Sequence, residues 1–155
     1  MGLSINCRKG GTTSLDVSVG GFAQLRNLVA KLSGKEFGEH NATLSDGLRI
    51  YDSQERKAFY DAFDAKTMEL LKRHKVSWGI VDFCVQSDCD GSIGMRSCRM
   101  VLRALDSDTS GKDMIIGYAG WEHPARVSDF KELLREGIET RGGIEWHQHE
   151  NGGFQ

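Results

Sequence analysis

The first 34 residues constrain the fold more than any other part of the chain. Leu3 to Cys7 alternates polar and apolar residues, and Ser14 to Val19 does so cleanly, with Leu15, Val17 and Val19 apolar. Period-two alternation is the mark of a half-buried strand. Lys9-Gly10-Gly11 between the two runs is a turn signal. Gly20-Gly21 ends the second run. Phe22, Leu25, Leu28, Val29 and Leu32 then fall at helical spacing, with Gly34 placed to stop the helix. A hairpin that feeds straight into a helix points to the α+β class. The expectation is three to four helices packed on a small, mostly antiparallel sheet.

The rest of the chain extends this pattern. Residues 35–51 are polar and contain glycine, which reads as a loop with short turns. Asp52 with Glu55 three positions on is a capping-box variant that opens a long helix over about 53–74, with Phe59, Phe63, Met68, Leu70 and Leu71 as its apolar positions. Lys72, Arg73, His74 and Lys75 lie near its end, where cations suit the helix dipole. Val76 to Val85 reads as a strand or buried segment. Met95, Cys98, Val101, Leu102 and Leu105 predict another helix, and Asp106 to Lys112 a loop. Met114 to Tyr118 is a brief apolar stretch. Val127, Phe130, Leu133, Leu134 and Ile138 predict the last helix, broken by Gly142-Gly143, with Ile144 to Trp146 returning as a closing strand.

Composition narrows the class of function. At 155 residues the chain reads as a single globular domain over 1–150 with a frayed tail at 151–155. A net charge of −2 argues against general nucleic-acid binding, whose footprint is a basic excess. No apolar run approaches the ~20 residues of a membrane span. Met1 to Asn6 lacks the regions of a signal peptide, and Asn6 stands where a myristoylation motif wants Ser or Thr. The four cysteines, Cys7, Cys84, Cys89 and Cys98, make no C-x-x-C pair. They read as reduced thiols of a cytoplasmic protein, with Cys84 and Cys98 as small buried residues. No zinc or other cofactor is expected.

The densest chemistry lies in Ser87-Asp88-Cys89-Asp90-Gly91-Ser92-Ile93, where two acids, a thiol and a glycine fall between two apolar segments. The run Cys84 to Gly91, with Ile93, Cys98 and Leu102, resembles a family of small bacterial and phage-borne proteins with a Ser-Asp-Cys-Asp-Gly signature. Met1-Gly2-Leu3 and Gly21-Phe22 with Leu25-Arg26 look like the opening of that family, and Phe130 to Trp146 like its close. The resemblance implies a small intracellular α+β protein and carries no established activity. Relatives look as if they place His before the signature, where this chain has Gln86.

Three chemistries compete for this segment. For calcium, Asp88, Asp90 and Gly91 fit part of an EF-hand loop, but Gln86 and Ser97 occupy its first and twelfth positions. Asp106 to Gly111 fits the first half better, then fails at Asp113 and Gly117. The competing reading is side-chain turns and caps. For anions, Gly91, Ser92 and Gly94 precede a helix that carries Arg96, Arg99 and Arg103 on one face. The competing reading is a solvated face with internal Asp–Arg pairs. For catalysis, His147 and His149 point the same way if on a strand, and Cys89 near a helix start is a candidate thiolate. No hydrolase, metalloprotease, Walker or dinucleotide motif is present.

The expectation is a non-catalytic binding or regulatory module. Its ligand is an anionic small molecule, such as a nucleotide signal, or a protein partner. A phage inhibitor of host defence and a homo-oligomer both fall within this reading. The ligand residues are Asp88, Cys89, Asp90, Gly91, Ser92, Arg96, Arg99 and Arg103, and the partner residues are Trp121 and His123. The alternative is a metal-dependent enzyme or calcium-binding protein that uses the acids at 88–90 and 106–113.

Overall fold

A computed structural model describes residues 2–118 and 123–149. The protein is α+β. Strands β1 (Gly2–Cys7), β2 (Ser14–Ser18), β3 (Asp90–Ile93) and β6 (Ile144–His149) form one antiparallel sheet in the order β2-β1-β6-β3. β1 and β2 form an antiparallel hairpin, with Leu3 opposite Val17 and Ile5 opposite Leu15. The closing strand is not at an edge. β6 lies between β1 and β3, so the two ends of the described chain meet in the middle of the sheet. β4 (Ile115–Tyr118) and β5 (Pro124–Arg126) form a separate two-stranded piece.

Alternation separates the two faces of the main sheet. Leu3, Ile5, Leu15, Val17, Ile93, Ile144 and Trp146 are buried on the inner face. Helices α1 (Val19–Ser33), α4 (Trp78–Val85), α5 (Met95–Asp106) and α6 (Val127–Glu139) cover it with Phe22, Leu25, Phe83, Val101, Phe130 and Leu133. Phe83 packs edge-on against both Phe22 and Trp146, and face to face with Phe130. The outer face is polar. There His147 Nδ1 meets Asp90 Oδ1 at 3.0 Å and His149 Nε2 meets Asp16 Oδ1 at 3.6 Å. The two histidines do share a face, but each answers a carboxylate from a different strand.

Two helices lie where the sequence predicts none. Of the two readings of Val76 to Val85, strand or buried segment, the second holds: its last eight residues are α4, buried at Gly79, Ile80, Val81, Phe83 and Cys84. A short, nearly continuous apolar run has no periodicity with which to separate a buried strand from a buried helix. Gly79 is the local clue, since a Cβ there would lie 3.1 Å from Ser97 Cα of α5. The supposed loop at 35–51 contains α2 (Lys35–Ala42) and a 3-10 turn (Leu44–Arg49). Only Phe37, His40 and Asn41 of α2 are buried, and two of these three are polar. The long helix α3 (Ser53–Lys72) starts as expected, with the Asp52 carboxylate accepting from the Glu55 N–H at 2.9 Å. The expected tail at 151–155 lies outside the described residues. Among the described residues no helix is long and apolar enough to cross a membrane.

Candidate functional site

Arg26 occupies an inward position of α1, one helical turn from Phe22 and next to Leu25. Its residue is only 6% exposed. The guanidinium carbon lies 4.8 Å from the centre of the Phe22 ring and 5.6 Å from that of Trp146. Nε donates to the Phe83 carbonyl at 2.8 Å, and Nη2 donates to the Gln86 carbonyl. These carbonyls end α4, so the cation sits at the negative pole of that helix and satisfies acceptors the helix leaves open. Burial lowers the Arg26 pKa to about 10, against an upward pull from Cys84 and from the charge of Asp88. The group is still a cation at neutral pH. Among the described residues Nη1 has no hydrogen-bond partner and no carboxylate forms an ion pair with the guanidinium.

Arg26 borders a cavity of about 320 Å³. α1 supplies Ala23 and Asn27, the end of α2 supplies Asn41, and the 3-10 turn supplies Leu44 and Leu48. Tyr60 of α3 and residues 84–88 complete the wall. Asn41 is buried, and its Nδ2 donates to Asn27 Oδ1 at 3.0 Å. Its own Oδ1 is buried with no hydrogen-bond partner. An orphaned buried acceptor is uncommon and costs about 1–3 kcal/mol. A charged donor and an unsatisfied acceptor therefore belong to the lining of one apolar-walled hollow.

The Ser-Asp-Cys-Asp-Gly segment links α4 to β3 and is pinned along its length. The Ser87 carbonyl accepts from Trp146 Nε1 at 2.9 Å, and Ser87 Oγ accepts from the Cys89 N–H at 3.1 Å. The Cys89 carbonyl accepts from the Gln148 N–H at 2.6 Å. Gly91 is required by contact, since a Cβ there would lie 2.9 Å from Gln86 Oε1 and closer still to the Trp146 ring. Gln86 has a structural task. Its carboxamide donates to the Ser92 carbonyl at 2.6 Å and accepts from the Ser92 N–H at 3.1 Å. It thus pairs the free edge of β3 as a neighbouring strand would. Its Nε2 also donates to Asp82 Oδ1 at 2.9 Å, and the other oxygen of Asp82 accepts from Ser97 Oγ at 3.1 Å.

The expected ligand residues are divided by this arrangement. Asp88 lines the cavity with Arg26. Cys89 is exposed, with Sγ 3.5 Å from Asp88 Oδ1, and Asp90 pairs with His147. Gly91 and Ser92 belong to a strand, and the Ser92 N–H is taken by Gln86. Arg96, Arg99 and Arg103 are exposed on α5. Arg103 lines a second, shallower hollow with His74, Lys75 and Ser77. His123 is exposed, and Trp121 lies outside the described residues.

The remaining acids have partners of their own. Asp106 meets Lys131 at 2.6 Å, and Asp113 accepts from both the N–H and the hydroxyl of Ser128. Asp108 accepts from the Ser110 N–H at 3.0 Å, which holds its carboxyl below the usual range. Among the described residues no group of three or more His, Cys, Asp or Glu is placed to hold a metal ion. The buried thiols are inert. Burial pushes both Cys84 and Cys98 up to about 12.

Arg26 and Asn41 are absent from the ligand and partner residues expected from the sequence, where Arg26 enters only as part of the family resemblance. The signal for Arg26 was present: position 26 shares a helical face with Phe22 and Val29, and a cation on an apolar stripe needs a reason. Asn41 carried no such signal, because its helix reads as a loop. No protein-family model matches this chain, and neither a curated protein nor a solved structure is similar to it.

Proposed function

We propose that this protein is a non-catalytic binding module, and that the Arg26 cavity holds a small molecule through an anionic group, a carboxylate or a phosphate. One observation carries the reading: a buried, charged arginine borders a hollow and forms no ion pair among the described residues, the carboxylate of the lining, Asp88, being exposed. A buried cation is ordinarily paired, and here one guanidinium nitrogen has no acceptor among the described residues. Leu44, Leu48 and Tyr60 give the hollow apolar walls, as small-molecule sites have. The three exposed arginines of α5 stand apart from it and would steer an anion from solution.

The test fills the hollow without touching the arginine. Ala23 is exposed on α1 and lines the cavity. The Ala23→Phe variant is expected to keep its fold by circular dichroism and to lose a small molecule seen by native mass spectrometry on the protein purified from cells. Retention of the same bound mass by Ala23→Phe would place the ligand elsewhere.

Trp78, 63% exposed at the start of α4, supports a second reading, a protein partner. Tryptophan is enriched at the centres of interfaces.

A further inference from the structure

We propose that the Arg26 cavity selects a small zwitterion, in chemical terms an amino acid with an apolar side chain, with its carboxylate on Arg26 and its ammonium on Asp88. This rests on the Arg26 cavity being the ligand site, and it adds what the other end of the ligand must be.

The charges in the wall carry the argument. Arg26 is its cation and Asp88 its carboxylate. Asp88 is exposed, has no ion-pair partner among the described residues, and lies close enough for its charge to act on Arg26. A phosphate dianion that gains from Arg26 loses to Asp88. A monoanion with a cationic end gains from both, which is how paired charges in a site discriminate. The volume, about 320 Å³, is at the low end for ligand sites and fits a compact molecule better than a nucleotide with two or three phosphates. Leu44, Leu48, Val85 and Tyr60 give part of the lining an apolar surface that suits an apolar side chain, beside the polar Asn27, Ser45 and Ser87.

The experiment is isothermal titration of the full chain with L-leucine and L-phenylalanine, each beside its deaminated acid and its decarboxylated amine, and with inorganic phosphate. The amino acids are expected to bind at least about fivefold tighter than the deaminated acids, the size of one partly exposed charge pair. Asp88→Asn alters an exposed side chain, so the fold is retained. It is expected to erase that ratio by weakening the amino acids, while the deaminated acids, relieved of a repelling charge, bind at least as tightly as before. Deaminated acids that bind as well as the amino acids, or a ratio untouched by Asp88→Asn, overturn the zwitterion and leave the anion site standing. Phosphate as the sole binder, lost in Ala23→Phe, does the same. Absence of binding in every arm, with no small molecule bound to the purified protein, overturns both.

Discussion

Trp146 and Phe63 are both buried aromatic residues, but they lie in very different surroundings. Trp146 sits in the middle strand of the sheet, with the Phe22 ring 5.4 Å away and the Phe83 ring 5.9 Å away, and it has no exposed surface. Phe63 lies on α3, a twenty-residue helix that buries only Phe63, Thr67 and Leu70. Its closest ring is His40 of α2, stacked at 3.9 Å. One region is a core closed from several sides, and the other is an arm laid across α2 and the 3-10 turn. The Arg26 cavity is built from both, with Arg26 from the core, Tyr60 from the arm and Leu48 from the 3-10 turn beside it. A site on such a seam has one rigid wall and one that opens at lower cost, as binding regions commonly do.

The sharpest test of this contrast is Trp146→Ala. It removes a ring from a closed core and strips Arg26 of one aromatic neighbour, so a loss of about 3–5 kcal/mol is expected. Urea denaturation should show it as one cooperative transition, with hydrogen exchange rising everywhere at once. Exchange confined to β6 would mean that the core is not a single unit.

The same contrast explains what the sequence discloses. The core was legible because its elements are strongly periodic: Leu15 and Val17 at period two, and Val101 and Leu105 at helical spacing. The long helix was legible from Asp52 and Glu55, a local signal that holds whatever the helix packs on. The α2 helix was not, because it buries His40 and Asn41 along with Phe37, and polar residues at inward positions erase the pattern. The α4 helix failed for the opposite reason, being apolar nearly all round. The candidate site was half legible. Asp88 stood out in the signature, but its partner Arg26 is 62 positions earlier, and only the fold brings helix α1 to the end of α4. Gln86, seen as a missing histidine, turned out to pair a strand edge.

Phe63→Ala tests the arm. A loss near the lower end of the same range, about 3 kcal/mol, is expected for the docking of α3. Here the effect should be local. Hydrogen exchange should rise across 53–72 while the amides of β1 and β6 keep their protection. Equal loss of protection in the sheet would show that arm and core unfold together and would remove the seam.

The smallest expected effect is a pH response of the same contact. His40 Nε2 lies 2.8 Å from Thr67 Oγ1, and the Thr67 hydroxyl donates to the Phe63 carbonyl at 3.0 Å. That hydroxyl has spent its proton, so it accepts from His40, which requires a ring carrying hydrogen on Nε2. Burial lowers the His40 pKa below its ordinary 6.5, helped by the positive charge of Lys66 and opposed by the Phe63 carbonyl and Asp64. In the unfolded chain the ring titrates near 6.5. Below that value the unfolded or undocked state takes up a proton that the docked state refuses. The contribution of His40 to docking is therefore complete above 6.5 and is lost as pH falls toward the lowered value. Exchange of the α3 amides, corrected for intrinsic rates, should be faster at about pH 5.5 than at about pH 7.5, while the sheet changes little. His40→Gln keeps a donor for Thr67 and cannot be protonated in this range, so it should flatten the response. A response that persists in His40→Gln would assign it to another group, and the His40 contact would then give the arm no sensitivity to acid of its own.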